Sequence, residues 1–369
     1  MPSVPFLSLD YQHRSIEGEL KEIFSKTLKR GAFILGEEVD SFEKAYASHQ
    51  KTKYCISVAS GHDALLISLK ALNIDKGDEV IVPSHTCQAT WLAVVNAGAK
   101  PIAVEVDPLT FNIDPSRIES TITKKTRAIV PVHLYGHPCE MGQIMAIAKK
   151  NKLFVVEDNA QAHGAKFKNK MTGSWGDCNA TSFYPTKNLG ALGDGGAITT
   201  SDKKLFEFAR AFRNYGSIQK DIHLVQGVNS RLDELQAAIL KIKLKRLNEW
   251  NEERKQNANL YFKLLKNIEG IQLPPRESKV AKPVFHQFVI QTANRDKLKN
   301  FLSRNGIETA IHYPIPVHLQ KAYHNIGYKK GSLPIAERLA ATVLSLPVWP
   351  GLKKSDIEIV SSLIRKFCC

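Results

Sequence analysis

The chain has 369 residues, of which 43% are hydrophobic and 24% charged, with a formal net charge of +15. These proportions exclude a disordered or collagenous chain, and the length admits two domains or one large and one small lobe. No apolar run reaches about 18 residues, so no membrane span is expected, and "MPSVPFLSLD" at the start lacks the basic and apolar segments of a signal peptide.

From Lys53 to Thr200 short β-branched runs alternate with helical segments. Strands are expected in "YCISVAS", "DEVIVPS", "PIAVEVD", "TRAIVPVHLYG" and "LFVVED". Helices are expected in "HDALLISLKAL", "QATWLAVVNAG", Pro115 to Ile122 and "MGQIMAIAKK". Such alternation implies an α/β fold with a mostly parallel sheet covered on both faces. A long helical pattern follows "GVNSRLDELQAA", runs to about Leu265, and reads as a spine leading to a smaller α+β lobe. That lobe contains a strand in "FHQFVIQT", a helix in "RDKLKNFLSRNG", a strand in "IETAIHY" and a closing helix from Ser355. Pro314 and Pro316 make "HYPIPVHLQ" a loop.

The positive charge admits three readings. Nucleic-acid binding is one; an anionic small substrate such as a nucleotide diphosphate is another. Lysines set at helical spacing, as in "LKIKLKRLNEW", favour the third, solvated faces of amphipathic helices. The six cysteines (Cys55, Cys87, Cys139, Cys178, Cys368 and Cys369) form no CxxC pair and no disulfide framework. They read as free thiols of a cytoplasmic protein, with no metal site expected.

Ligands of a parallel sheet gather at the carboxyl ends of its strands. Asp158 ends "LFVVED", where a turn or capping aspartate is the plain alternative. "VASGHDALLISL" is a strand, a turn at Gly61 and a helix start, whose free amides can hold a phosphate. "GALGDGG" is neither a P-loop nor a dinucleotide fingerprint, since no GK[ST] follows and it leads into the strand-like "AITT". Just before it, Lys187 lies among apolar and small residues of "SFYPTKNLG". An anion site at a helix start, a strand-end aspartate and a lysine further on together match one cofactor, pyridoxal 5′-phosphate. Its phosphate takes the amides, its pyridine nitrogen stays protonated beside a carboxylate, and its aldehyde condenses with a lysine amine.

The runs "FILGEEVDSFE", "GDEVIVPSHT", "VHLYGHP", "EDNAQAHGA", "SFYPTKNLGALGDGG", "RNYGS", "GVNSRLDELQAAIL", "HYPIPVHLQKAY" and "LSLPVWPGL" carry a resemblance over essentially the whole chain. It resembles the DegT family of pyridoxal phosphate-dependent sugar aminotransferases, and within it the enzymes that aminate C3 of dTDP-3-keto-6-deoxyhexoses. The resemblance implies the aspartate aminotransferase fold (fold type I). A mostly parallel seven-stranded sheet would lie in a large domain, residues 1–250, followed by a small α+β domain, residues 251–369.

It also implies roles. Lys187 would bind the aldehyde covalently, Asp158 would pair with the pyridine nitrogen, and Gln161 would lie near the phenolic oxygen or ring. Ser182 and the backbone at Gly61 and His62 would hold the phosphate, with Asn229 reaching it from the other subunit of a homodimer. Tyr184, His312, Tyr313 and, across the interface, Lys220 would face the dTDP-keto-sugar, with L-glutamate as amino donor in a ping-pong reaction. Two positions depart from the family pattern. Cys87 stands where an aromatic residue usually stacks on the ring, so stacking is weaker or Trp91 contributes. His62 replaces a threonine, which matters only if phosphate binding uses that hydroxyl. His133 and His163 read first as buried histidines satisfied by hydrogen bonds. In a related branch histidine replaces the lysine and the enzyme dehydrates; Lys187 points to transamination. Amination at C4 of a nucleotide-linked 4-keto sugar, or of a cyclitol ketone, stays open. So do a non-catalytic pyridoxal phosphate-binding regulator and a nucleic-acid-binding module.

Overall fold

The computed structural model describes residues 3–219 and 221–368. After a short helical segment, Asp10–Arg14, the helices α1 (Glu17–Arg30) and α2 (Glu37–Gln50) precede the first strand, β1 (Tyr54–Val58). There follow α3 (Gly61–Ala71), β2 (Glu79–Pro83), α4 (Gln88–Asn96), β3 (Lys100–Val104) and β4 (Thr126–Ile129). Then come α5 (Met141–Asn151), β5 (Phe154–Asp158), β6 (Cys178–Ser182), β7 (Gly196–Thr200) and α6 (Lys203–Phe212). The spine α7 (Glu234–Leu264) leads to β8 (Phe288–Gln291), α8 (Arg295–Arg304), α9 (Pro334–Thr342), β9 (Val343–Leu346) and α10 (Lys354–Cys368).

Seven strands form one sheet in the order β1-β7-β6-β5-β4-β2-β3. The pairs from β6 to β3 are parallel, and β7 runs antiparallel to both its neighbours. Alternate residues of a strand face opposite sides. Val80 and Val82 therefore join Val58, Leu65, Ile67, Trp91 and Val156 in one core, while Ile81 joins Ile129, Ile144 and Val155 in another. Burial on both faces explains why these strands read as continuous apolar runs. A separate core gathers Tyr261 and Phe262 of α7 with Phe288, Leu298, Leu344, Ile357 and Val360, around the antiparallel pair β8–β9.

Three expectations need correction. The segment from Pro115 to Ile122 forms two 3₁₀ turns, Pro115–Arg117 and Glu119–Thr121, instead of a helix. Asp114 captures the Ser116 amide, and the hydroxyls of Ser120 and Thr121 bond back to carbonyls of the turn, contacts that compete with helix propagation. "IETAIHY" is no strand: only Ile307 and Ala310 make single bridges, to Val4 and Ser345, before the prolines end any ladder. The spine begins inside "GVNSRLDELQAA", at Glu234. The buried Glu234 carboxylate accepts from the amides of Gly36, Glu38 and Val39 at the start of α2, where negative charge is favoured. Among the described residues no helix is long and apolar enough to cross a membrane.

Candidate active site

Because side chains alternate along β5, Glu157 and Asp158 leave the sheet on opposite faces. Glu157, fully buried, accepts from Nε2 of His133 at 2.7 Å and from the amides of Gly173, Trp175 and Gly176. The Cys139 amide donates to Nδ1 of His133, so the ring carries its proton on Nε2. His133 is thus a satisfied buried histidine, as expected. Asp158 turns to α4, where Thr90 Oγ1 donates to its Oδ2 at 2.9 Å and the Ala160 amide to its Oδ1 at 3.2 Å. Burial raises its carboxyl above the ordinary range, against the opposing pull of Thr90, Ala160 and Lys187.

Asp158 and Lys187 line one cavity of about 280 Å³, together with Gly61, His62, Cys87, Gln161, Ser182 and Tyr184. Burial lowers the affinity of the Lys187 amine for its proton, while Cys87 and Asp158 favour the charged form. The loop carrying it is closed by Ala191 N donating to Phe183 O at 2.8 Å, with Lys187 N bonded to Tyr184 O at 2.9 Å inside it.

The turn between β1 and α3 makes the opposite wall. Ser60 caps α3 by accepting from the Asp63 amide at 3.1 Å. The amides of Gly61 and His62 have no protein acceptor among the described residues, as the first turn of a helix dictates. A Cβ on Gly61 would lie 2.5 Å from Ser182 Cβ, and one on Gly196 would lie 2.3 Å from Ser60 O. Glycine at these two positions brings helix start, β6 and β7 together. His62 Nδ1 lies 3.3 Å from Asp63 Oδ1 and its Nε2 lies 3.2 Å from Asn96 Nδ2. Both ring nitrogens are therefore engaged sideways, and the backbone is left to face an anion. Asp63 in turn accepts from Ser230 Oγ at 2.7 Å, and Ser230 accepts from the Ala59 amide.

Gln161 joins the cavity to the C-terminal lobe: its Oε1 accepts from the Tyr135 amide at 2.7 Å, and its Nε2 donates to Tyr313 OH at 3.3 Å. Tyr135 OH donates to the His312 carbonyl, so His85 Nε2, 3.0 Å away, donates to the phenol oxygen. The His312 ring itself turns to Ser345 Oγ, at 2.8 Å. His163 Nε2 donates to Ser182 O at 2.9 Å, and burial holds the ring neutral, its pKa pulled to about 3.

Several expectations fall elsewhere. Trp91 does not reach the cavity: it is fully buried, donates to Pro83 O at 3.0 Å and packs edge-on against Tyr323 and Tyr328. The apolar side of α4 claims it for the core, so it cannot supply the stacking that Cys87 lacks. Asn229 is exposed, outside the cavity of its own chain, with its backbone bridged to Asn214. Lys220 lies outside the described residues. Sequence reasoning missed Thr90, which holds Asp158, as well as Tyr135 and the exposed cavity-lining Asp194. Threonine inside an amphipathic helix gives no signal, because its partner is 68 positions away.

A phosphate-sized anion fits the free amides beside Gly61 and Ser182. A ring nitrogen fits the buried carboxylate of Asp158, and an aldehyde fits the Lys187 amine. These residues therefore suit pyridoxal phosphate.

Residues 14–365 match the DegT/DnrJ/EryC1/StrS aminotransferase family. The chain is 47% identical over 364 residues to the dTDP-3-amino-3,6-dideoxy-alpha-D-galactopyranose transaminase of Aneurinibacillus thermoaerophilus, covering 99% of both. It is 46% identical over 362 residues to the Saccharopolyspora erythraea protein named erythromycin biosynthesis sensory transduction protein EryC1, covering 98% of this chain and 99% of the other. The crystal structure of Streptomyces venezuelae DesV in complex with a ketimine intermediate superposes with a TM-score of 0.98 at 44% identity, covering 100% of this chain and 99% of that one.

Proposed function

This chain belongs to the DegT/DnrJ/EryC1/StrS aminotransferase family, pyridoxal phosphate-dependent sugar transaminases, and we propose that it aminates C3 of a dTDP-3-keto-6-deoxyhexose with L-glutamate as donor. The observation that carries this reading is the meeting of Lys187 and Asp158 in one cavity beside a helix start with free amides. The similarity to the transaminase of Aneurinibacillus thermoaerophilus supports the nucleotide sugar and the position of amination.

When bound, the cofactor would supply an electron sink and a carrier for the amino group. Lys187 would hold it through its side-chain amine. Asp158, kept in place by Thr90 and Ala160, keeps the ring nitrogen protonated. The amides of Gly61 and His62 and the hydroxyl of Ser182 hold the phosphate. Once released, Lys187 Nζ acts as base on the α-carbon of the donor; burial favours its neutral form. In the second half it delivers a proton to C3 of the sugar. Gln161 would orient the cofactor ring with Cys87 beside it, and Tyr184, His312 and Tyr313 would face the nucleotide sugar. Asn229 and Lys220 serve the cavity of a second subunit in a homodimer. The exposed Phe24, Leu28, Phe33 and Ile34 support that assembly, being large apolar side chains left uncovered.

Absorbance of the purified protein tests the reading. L-glutamate should bleach the band of the Lys187-bound cofactor, and dTDP-3-keto-6-deoxyglucose should restore it. Restoration by a 4-keto sugar alone would move the reaction to C4. In Lys187→Ala turnover should vanish while pyridoxamine phosphate still binds; full turnover in that variant would remove Lys187 from the mechanism.

A further inference from the structure

The residue after Lys187 is more tightly held than Lys187 itself. Asn188 is 2% exposed, and every hydrogen-bonding atom of its side chain is engaged. Its Nδ2 donates to Asn251 Oδ1 at 2.8 Å and to Val284 O at 3.3 Å, and its Oδ1 lies 3.0 Å from Nδ1 of His286. An amide oxygen can only accept, so His286, kept neutral by burial, donates through Nδ1–H. The chain of bonds continues beyond Asn251, whose Nδ2 donates to His163 O at 2.8 Å, and from His163 Nε2 to Ser182 O at 2.9 Å. Asn188 is thus where the spine α7, the segment leading into β8 and the stretch after β5 meet.

α7 also grips the same loop further along. Lys243 Nζ donates to Gly190 O at 2.8 Å, and Gln236 Oε1 accepts from the Leu192 amide at 2.8 Å. Positions 236, 243 and 251 fall on one face of a helix by their spacing of seven and eight. Among the described residues no hydrogen bond holds the Lys187 amine itself, so its aim follows the loop backbone. A lysine amine is ~6 Å from its Cα, so a backbone rotation of ~10° moves it by about 1 Å. Misplacement of that size costs up to about a hundredfold in rate.

We propose that Asn188 is a positioning residue: by fixing its own peptide against α7 and the C-terminal lobe, it aims the neighbouring Lys187 amine at the cofactor aldehyde. This rests on the reading of Lys187 as the covalent anchor. The step it governs is a condensation in which the amine nitrogen adds to the aldehyde carbon, a C=N bond forms and water leaves. A buried asparagine that only supported the fold would affect binding of any cofactor form alike. One that aims Lys187 affects only the form that bonds to it.

Cofactor-free wild type, Asn188→Ala and Asn251→Ala provide the test. Each is given pyridoxal phosphate, the rate of capture is followed by absorbance, and borohydride with peptide mass analysis identifies the lysine bonded. Calorimetry measures the affinity for pyridoxamine phosphate, which has no aldehyde. Both variants should capture the aldehyde roughly tenfold more slowly or worse, with pyridoxamine phosphate affinity unchanged. Asn251→Ala, one bond further out, carries the test if Asn188→Ala fails to fold. Wild-type capture rates in the folded variants overturn the proposal, as does an equal loss of pyridoxamine phosphate affinity. Wild type that labels no Lys187 overturns the underlying reading, and the proposal with it.

Discussion

Lys243 shows how little a residue's own sequence neighbourhood says about its charge. "LKIKLKRLNEW" reads as a solvated amphipathic face, yet its Lys243 is 4% exposed, bonded to Gly190 O and 3.1 Å from His13 Nε2. Burial pulls its pKa from 10.5 to about 8. Below about pH 8 both folded and unfolded chains hold the proton, and the folded state bears the cost of burying it. Between about pH 8 and 10.5 the folded chain has released the proton while the unfolded chain keeps it, so stability rises with pH. The span corresponds to about 3 kcal/mol. Denaturant melts of wild type and Lys243→Met across this window should show the rise in wild type and lack that part of it in the variant. Asp158 is the converse case, a strand-end carboxylate held ready by Thr90. Asp158→Asn keeps an acceptor for Thr90 but loses the charge. Turnover should fall by about a hundredfold or more, with the melting temperature little changed; steady-state rates beside a thermal melt decide it.

At the scale of elements, the site is a junction of turns. The start of α3, the end of β5 and the loop after β6 meet because two glycines permit contact that a Cβ would block. Gly196→Ala sets a methyl against Ser60 O, and destabilisation of about 1–3 kcal/mol is expected from chemical unfolding. Gly61→Ala pushes on Ser182 instead, so its larger effect should be on phosphate retention, read as weaker pyridoxamine phosphate binding in calorimetry. The strand and helix pattern of this region was legible in the sequence, because buried parallel strands are apolar throughout and amphipathic helices repeat every 3.6 residues. Pro115 to Ile122 and "IETAIHY" were not. There, short segments had their backbone partners taken by side-chain hydroxyls, by Asp114 or by the distant Val4, and local propensity did not decide.

For the whole molecule, α7 ties the loop of Lys187 to the core of the C-terminal lobe. Below Asn251, Arg254 Nη1 donates to Val348 O at 2.6 Å and Asn257 Nδ2 to Trp349 O at 2.9 Å, so one helix touches both the loop of Lys187 and the C-terminal lobe. The uncovered Phe24, Leu28, Phe33 and Ile34 carry the prediction at this scale. Light scattering should find a dimer, and Phe33→Asp with Ile34→Asp should shift it toward monomer with loss of turnover, since Asn229 is proposed to act across the interface. A fully active monomer would remove the shared site.

The order of the amino acids was enough to read the α/β class, the strand-end Asp158, the helix start at Gly61 and the unusual setting of Lys187. Each depends on local periodicity or on chemistry within a few neighbouring residues. Long-range packing is what makes Thr90 hold Asp158, sends Trp91 to the core, engages both nitrogens of His62 and clamps Asn188 by residues 63 and 98 positions away. Such contacts depend on which faces the packing brings together, and nothing local in either partner records the other.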